Sequence, residues 1–241
     1  MKIRLLLLVF IGVLNFGMNP VAEKYKTSKQ NLINKNLEKK DIQILKSDNI
    51  DNDYRDLFSE GYEILGYSDF ESFEISTSSM KSQAKKTGSE LVIYSEQFKN
   101  QKASMEWDPF AKRNRCYSSR SIFEDCDRGE WVYIYKDYYS YNILFLNKVK
   151  LNGLGLLVEE LSVEKRKEIE SNYGLEILSI RKDSDAYKEN VLPNDIITKI
   201  NDNKILTKQE YEKILLDSKG EKIDLEILRK GKIINKQIIV Y

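Results

Sequence analysis

Apolar positions fall in short blocks separated by polar, glycine-bearing turns, the pattern of a chain made of several short strands and a few helices. Residues 61–70 (GYEILGYSDF) and 90–94 (ELVIY) carry the aromatic and branched side chains that suit a pleated surface. Between them, residues 78–87 place Met80 and Ala84 on a weak apolar stripe, and Gly88 follows, which predicts a helix ended by a glycine. Trp131, Tyr133 and Tyr135 alternate and so share one strand face, and Ile143, Phe145 and Asn147 continue the strand. Such a stripe either packs a hairpin onto the helix, its ordinary use in a small sheet, or offers an aromatic platform to a ligand or sugar.

Further on, a strand over 154–158 is entered through Gly153 and Gly155. Ser162 caps a helix running to about residue 171, Gly174 ends the turn after it, and residues 175–180 form a strand. Thr207 caps a second helix to about Asp217, with Tyr211, Ile214 and Leu215 at helical spacing and Gly220 closing it. Strands over 223–229 and 233–241 follow, joined by a turn at Lys230 and Gly231. The fold class is α+β: a strand-helix-strand module with a hairpin over 53–148, then strands and two helices over 149–241, which the family resemblance given below implies form a partly open barrel.

The N-terminus reads as an address. Lys2 and Arg4 precede a mostly apolar run over 5–16, broken only by Gly12 and Asn15, as in a signal peptide. The run is short for a membrane span, which needs roughly 20 apolar residues. Residues 1–22 are therefore a signal peptide or a retained anchor; cleavage after Ala22 would put Pro20 at a poor position for processing. No Cys follows to carry a lipid. Residues 23–52, rich in Lys, Asn and Asp, read as a polar spacer. The 241 residues suffice for two small domains, and the formal net charge of +1, with no long basic run, gives nucleic acid nothing to bind.

Cys116 and Cys126 lie in a polar stretch and, in an oxidising compartment, predict a disulfide closing a small loop, worth roughly 2–3 kcal/mol. Two Cys make half a zinc shell, and no His completes it, so neither a metal nor any other cofactor is expected. The pair is too widely spaced for a CxxC redox motif. Without His, Ser-His and Cys-His nucleophiles cannot be assembled. Glu159 beside Glu160 carries almost no catalytic information, and phosphate-cradling glycine motifs are absent. The chain reads as non-enzymatic; a Ser/Lys or carboxylate site is what survives this exclusion.

The order Leu151, Asn152, Gly153, Leu154, Gly155, Leu156, Leu157, Val158, then Asp183 to Ala186, Val191, Leu192, Pro193, Asn194, Asp195, Ile196 and Ile197, and finally Leu228 to Gly231, resembles the PDZ domain in the bacterial HtrA-type arrangement. The resemblance covers about 150–241 and no protease domain. It implies a peptide groove with Gly153, Leu154, Gly155 and Leu156 as a carboxylate loop, Val158 on the groove strand, and Tyr211 and Leu215 as the facing helical wall. Asn190, Asn194 and Asp202 stand at turn positions where the family often has Gly; Asn tolerates positive φ better than other side chains do. Ala84 to Gly88 ahead of residues 91–94 also looks like small exported bacterial modules, a short match implying a fold fragment.

Two functions are expected from these readings. One is an exported protein, periplasmic or secreted, or tethered to the inner membrane by its leader, that binds C-termini or extended segments of envelope proteins. The other is an interaction protein whose groove is closed and whose aromatic N-terminal module makes the contacts. The cysteine reading is tested by alkylating the exported protein with and without reductant: the disulfide predicts labelling of Cys116 and Cys126 only after reduction, and labelling of both without it contradicts the bridge.

Overall fold

The computed structural model describes residues 19–28, 41–109 and 129–241; Cys116 and Cys126 lie outside them. The first part is a mixed sheet of β1 (Tyr25–Thr27), β2 (Gln43–Lys46), β3 (Tyr62–Ser72), β4 (Leu91–Asp108) and β5 (Glu130–Lys148), in the order β1-β3-β5-β4-β2. Only β2 with β4 is parallel among the pairs of this sheet. Strand alternation sends Val92, Ile143 and Phe145 to one face, against Met80 and Ala84 of α3 (Thr77–Thr87) and Val21 of α1 (Pro20–Glu23). Leu91, Ile93 and Leu146 go to the other face, under Ile50 of α2 (Ile50–Ser59). Gly88 ends α3 in the left-handed region, as the sequence predicts.

Three expectations change here. The stretch expected to be a spacer, 23–52, contributes β1, β2 and the start of α2, because Ile42 and Ile44 find a core in the tertiary fold that their local density did not suggest. Residues 19–22 belong to the module as well: Asn19 caps α1, Val21 is fully buried, and the Ser68 hydroxyl donates to the Val21 carbonyl at 2.8 Å. A cut after Ala22 would strip a filled position from this core. The aromatic hairpin forms, yet its stripe does not pack on the helix. β4 and β5 run past α3 as a two-stranded arm, leaving Trp131, Tyr133 and Tyr135 62%, 68% and 64% exposed.

The second part is a sheet in the order β11-β10-β8-β7-β6, with the short β9 (Asn203–Lys204) beside β8. Its strands are β6 (Leu156–Glu160), β7 (Leu175–Ile180), β8 (Ile196–Ile200), β10 (Lys222–Arg229) and β11 (Lys232–Ile239). The helices are α4 (Val163–Glu168), α5 (Asp185–Lys188) and α6 (Lys208–Asp217). Leu154, Val158, Ile177, Ile197, Ile200, Leu225 and Ile238 form one buried core. Lys230 and Gly231 both take positive φ, which matches the tight β10–β11 turn. The two parts meet where α2 lies on β7: the Ser179 hydroxyl donates to the Arg55 carbonyl at 2.6 Å, and the Lys182 N–H to the Ser59 carbonyl at 3.0 Å.

Val21→Ala is predicted to lower stability in urea unfolding by about 1–3 kcal/mol, against under about 0.5 kcal/mol for the exposed Val163→Ala. Equal effects would place residues 19–23 outside the folded module.

Candidate functional site: the edge of β6 and its glycine-entered loop

The entry to β6 is built by two glycines at φ +68 (Gly153) and +69 (Gly155). At Gly155 the need for glycine is also steric, since a Cβ would lie 2.7 Å from Ser184 Cβ and 2.8 Å from Leu151 Cδ1. Gly153 exchanges two hydrogen bonds with the C-terminal residue: its N–H donates to the Tyr241 carbonyl at 2.8 Å and its carbonyl accepts from the Tyr241 N–H at 2.9 Å. The Arg181 N–H donates to the Gly155 carbonyl at 2.9 Å. Among the described residues, the Leu154 N–H donates to no backbone or side-chain acceptor, while Gly153 and Leu154 form a tight turn that Gly155 closes.

The register decides which way the strand's own groups point. Gly155 and Arg181 are joined by a hydrogen bond, so the adjacent pair Leu156 and Ile180 is a non-bonded pair, and Leu156 directs its N–H and carbonyl away from β7. The pairing shifts by one between Leu157 and Val158. Val158 then faces Ile177, whose N–H and carbonyl are taken by the Asp195 carbonyl and the Asn194 N–H, so Val158 also points its backbone groups outward. Because β6 ends the sheet order, these groups line an open edge. The side chains of Leu154, Leu156 and Val158 are buried in the core, so they contribute backbone to the site and not side chains.

The wall opposite is α6, whose start is fixed by a capping box. The Thr207 hydroxyl accepts from the Glu210 N–H at 3.2 Å, and the Glu210 carboxylate accepts from Leu206 and Thr207 N–H groups at 2.9 and 3.3 Å. Leu215 is half-buried, and its Cδ1 lies 3.4 Å from where a Cβ on Gly153 would sit, so it covers the loop. Tyr211 is different. It is 4% exposed and lies within the core cluster, where burial pushes its hydroxyl pKa upward. Helical spacing placed it on the inward face, and that face is core, so Tyr211 supports the wall from beneath.

Asp195 is an anchor of this frame. It is 1% exposed, receives Arg229 through two hydrogen bonds of 2.6 Å, and accepts the Leu192 N–H at 2.8 Å, while Arg229 also reaches the Asn190 carbonyl at 2.7 Å. Asn190, Asn194 and Asp202 all take positive φ, so these turns survive without glycine. Sequence reasoning missed Arg181, which joins the loop to the first part; its neighbours Lys182 and Asp183 made it look like one more solvated charge. Among the described residues no group of three or more His, Cys, Asp or Glu could hold a metal ion, and no helix is long and apolar enough to cross a membrane.

A strand entered through a Gly-Leu-Gly-Leu loop, lying at a sheet edge beside a capped helix, defines a PDZ-like fold for the C-terminal part. Residues 147–240 match the PDZ domain family, a match that covers no protease domain. Among solved structures, a variant of the HtrA-type protease AlgW with a decapeptide is similar at 18% identity and a TM-score of 0.35, over 50% of this chain and 39% of that one. The PDZ domain of HtrA3 bound to a phage-derived ligand is similar at 17% identity and a TM-score of 0.33, over 38% of this chain and 84% of that one. The chain thus spans well under half the length of the protease it matches. No curated protein matches it.

Gly155→Ala is predicted to cost about 1–3 kcal/mol in chemical unfolding, through both strain and crowding. Gly231→Ala, at φ +75 with nothing within 4 Å of the added Cβ, should cost about 1 kcal/mol. Equal losses would mean that the loop is not held tightly against Ser184 and Leu151.

Proposed function

We propose that this is an exported, non-catalytic protein that binds C-termini or extended segments of envelope proteins as an added strand on β6. The observation that carries this reading is the open edge: Leu156 and Val158 direct N–H and carbonyl groups outward, next to the unbonded N–H of Leu154. An antiparallel peptide would satisfy the strand groups, and its terminal carboxylate would take the loop N–H groups as charge-assisted acceptors. Leu215 would cover the last side chain. Export is supported by the basic and apolar start of the chain; the burial of Val21 means that any cut consistent with this fold lies ahead of Asn19. If the leader stays, it tethers the protein to the inner membrane.

A second reading is favoured by the exposed arm. Trp107 faces Trp131, Met105 faces Tyr133 and Ala103 faces Tyr135 across the ribbon, so the large side chains of both strands share one solvent-exposed face. Partner contacts through that face would leave the β6 groove without a role.

The two separate in one titration. Fluorescence anisotropy with a library of free C-terminal peptides, and amidated copies, predicts saturable micromolar binding that weakens at least about tenfold on amidation. Equal affinity for amidated and free forms overturns the carboxylate-reading loop, and binding by no peptide directs attention to the arm.

A further inference from the structure

The junction between the two parts is organised around Arg181, which is 2% exposed. Its backbone N–H holds the Gly155 carbonyl of the glycine-entered loop at 2.9 Å. Its guanidinium turns the other way. Nε and Nη2 donate to the two Asp183 carboxylate oxygens at 3.0 and 2.8 Å, Nη2 also donates to the Val149 carbonyl at 2.9 Å, and Nη1 lies 3.7 Å from a Glu63 carboxylate oxygen. Glu63 belongs to β3 of the N-terminal module. Nη1 is buried without a hydrogen-bond partner, so the Glu63 charge is its compensation. Burial raises the Glu63 pKa and the neighbouring arginine opposes that rise.

The arginine is tied both at its backbone and at the far end of its side chain. Its Cβ lies 3.2 Å from where a Gly155 Cβ would be, so the backbone and the loop are already close. A second ion pair at the same junction, Lys182 with Glu60, is exposed and touches no loop residue. The geometry thus contains one link that reaches the loop and one that does not.

We propose that Arg181 is a positioning residue for the peptide-carboxylate loop, through which docking of the N-terminal module sets the loop's geometry and therefore its affinity for a peptide terminus. The proposal rests on the peptide-binding reading for its functional consequence and on the Arg181–Gly155 bond for its structural one. The module is then part of the binding unit.

The test uses the full chain, because Arg181→Ala leaves Glu63 and Asp183 without their partner and endangers folding. Glu63→Gln keeps the shape of the side chain and removes its charge, and Glu60→Gln serves as the control at the same junction. Amide hydrogen exchange read by NMR should show the Arg181 amide exchanging about fivefold faster in E63Q, with the amides of α6 and β10 unchanged, and no change at Arg181 in E60Q. Affinity for a free C-terminal peptide should fall by about fivefold in E63Q and stay constant in E60Q. A uniform rise in exchange over the whole C-terminal part, an unchanged Arg181 amide in E63Q, or equal effects of the two variants would each overturn the proposal. If the wild-type chain binds no peptide, the peptide-binding reading fails, and the exchange comparison still decides whether Arg181 links module and loop.

Discussion

The pairing of β6 with β7 is the constraint from which the candidate site follows. Its first bond, Arg181 N–H to the Gly155 carbonyl, sets which groups of β6 point inward, and alternation along the strand carries the same sense to Val158, the shift between Leu157 and Val158 being taken up by Leu178 on β7. Had the register slipped by one, the strand would bury its outward groups and expose Leu156 and Val158. Gly153 and Gly155 supply the positive φ that lets the chain enter this strand, and the Tyr241 backbone ties Gly153 from the other side. An edge strand of this kind is a hazard in a protein with no use for it.

The N-terminal sheet adds a second constraint. Two helical layers cover opposite faces of β4 and β5 where these strands are short of the arm, and the helix on one face, α2, continues onto β7 of the PDZ-like part. Beyond that covered region the two strands extend with an aromatic face in solvent. A two-stranded ribbon alone is marginal in water. Here the strands are anchored at one end by Ile143, Phe145 and Leu146 in the cores, which fixes the ribbon's direction.

Much of the C-terminal part was legible because its signals are local. Ser162 and Thr207 cap the helices that follow them, residues 175–180 form the strand expected, and Asn190 and Asn194 take the turn conformations that Asn tolerates. What failed depended on partners far away in sequence. Val21 reads as the tail of an apolar leader until Ser68 and the sheet are in place. Residues 43–46 look too sparse for a core, and only the parallel pairing with β4 gives them one. Tyr211 satisfied the helical period whether it faced the groove or the core, since both lie on the inner side of α6. Arg181 had no local signature, because its role comes from the 2.9 Å bonds to Gly155 and Val149.

The proposed function stands on the addition of a peptide strand to β6. The most direct measurement is an amide-protection map of the full chain with and without a bound peptide. Strand addition at β6 predicts new protection at Leu154, Leu156 and Val158, the amides left open at the edge. Protection confined to the strands of the arm, around Met105, Trp107, Trp131 and Tyr133, would contradict it.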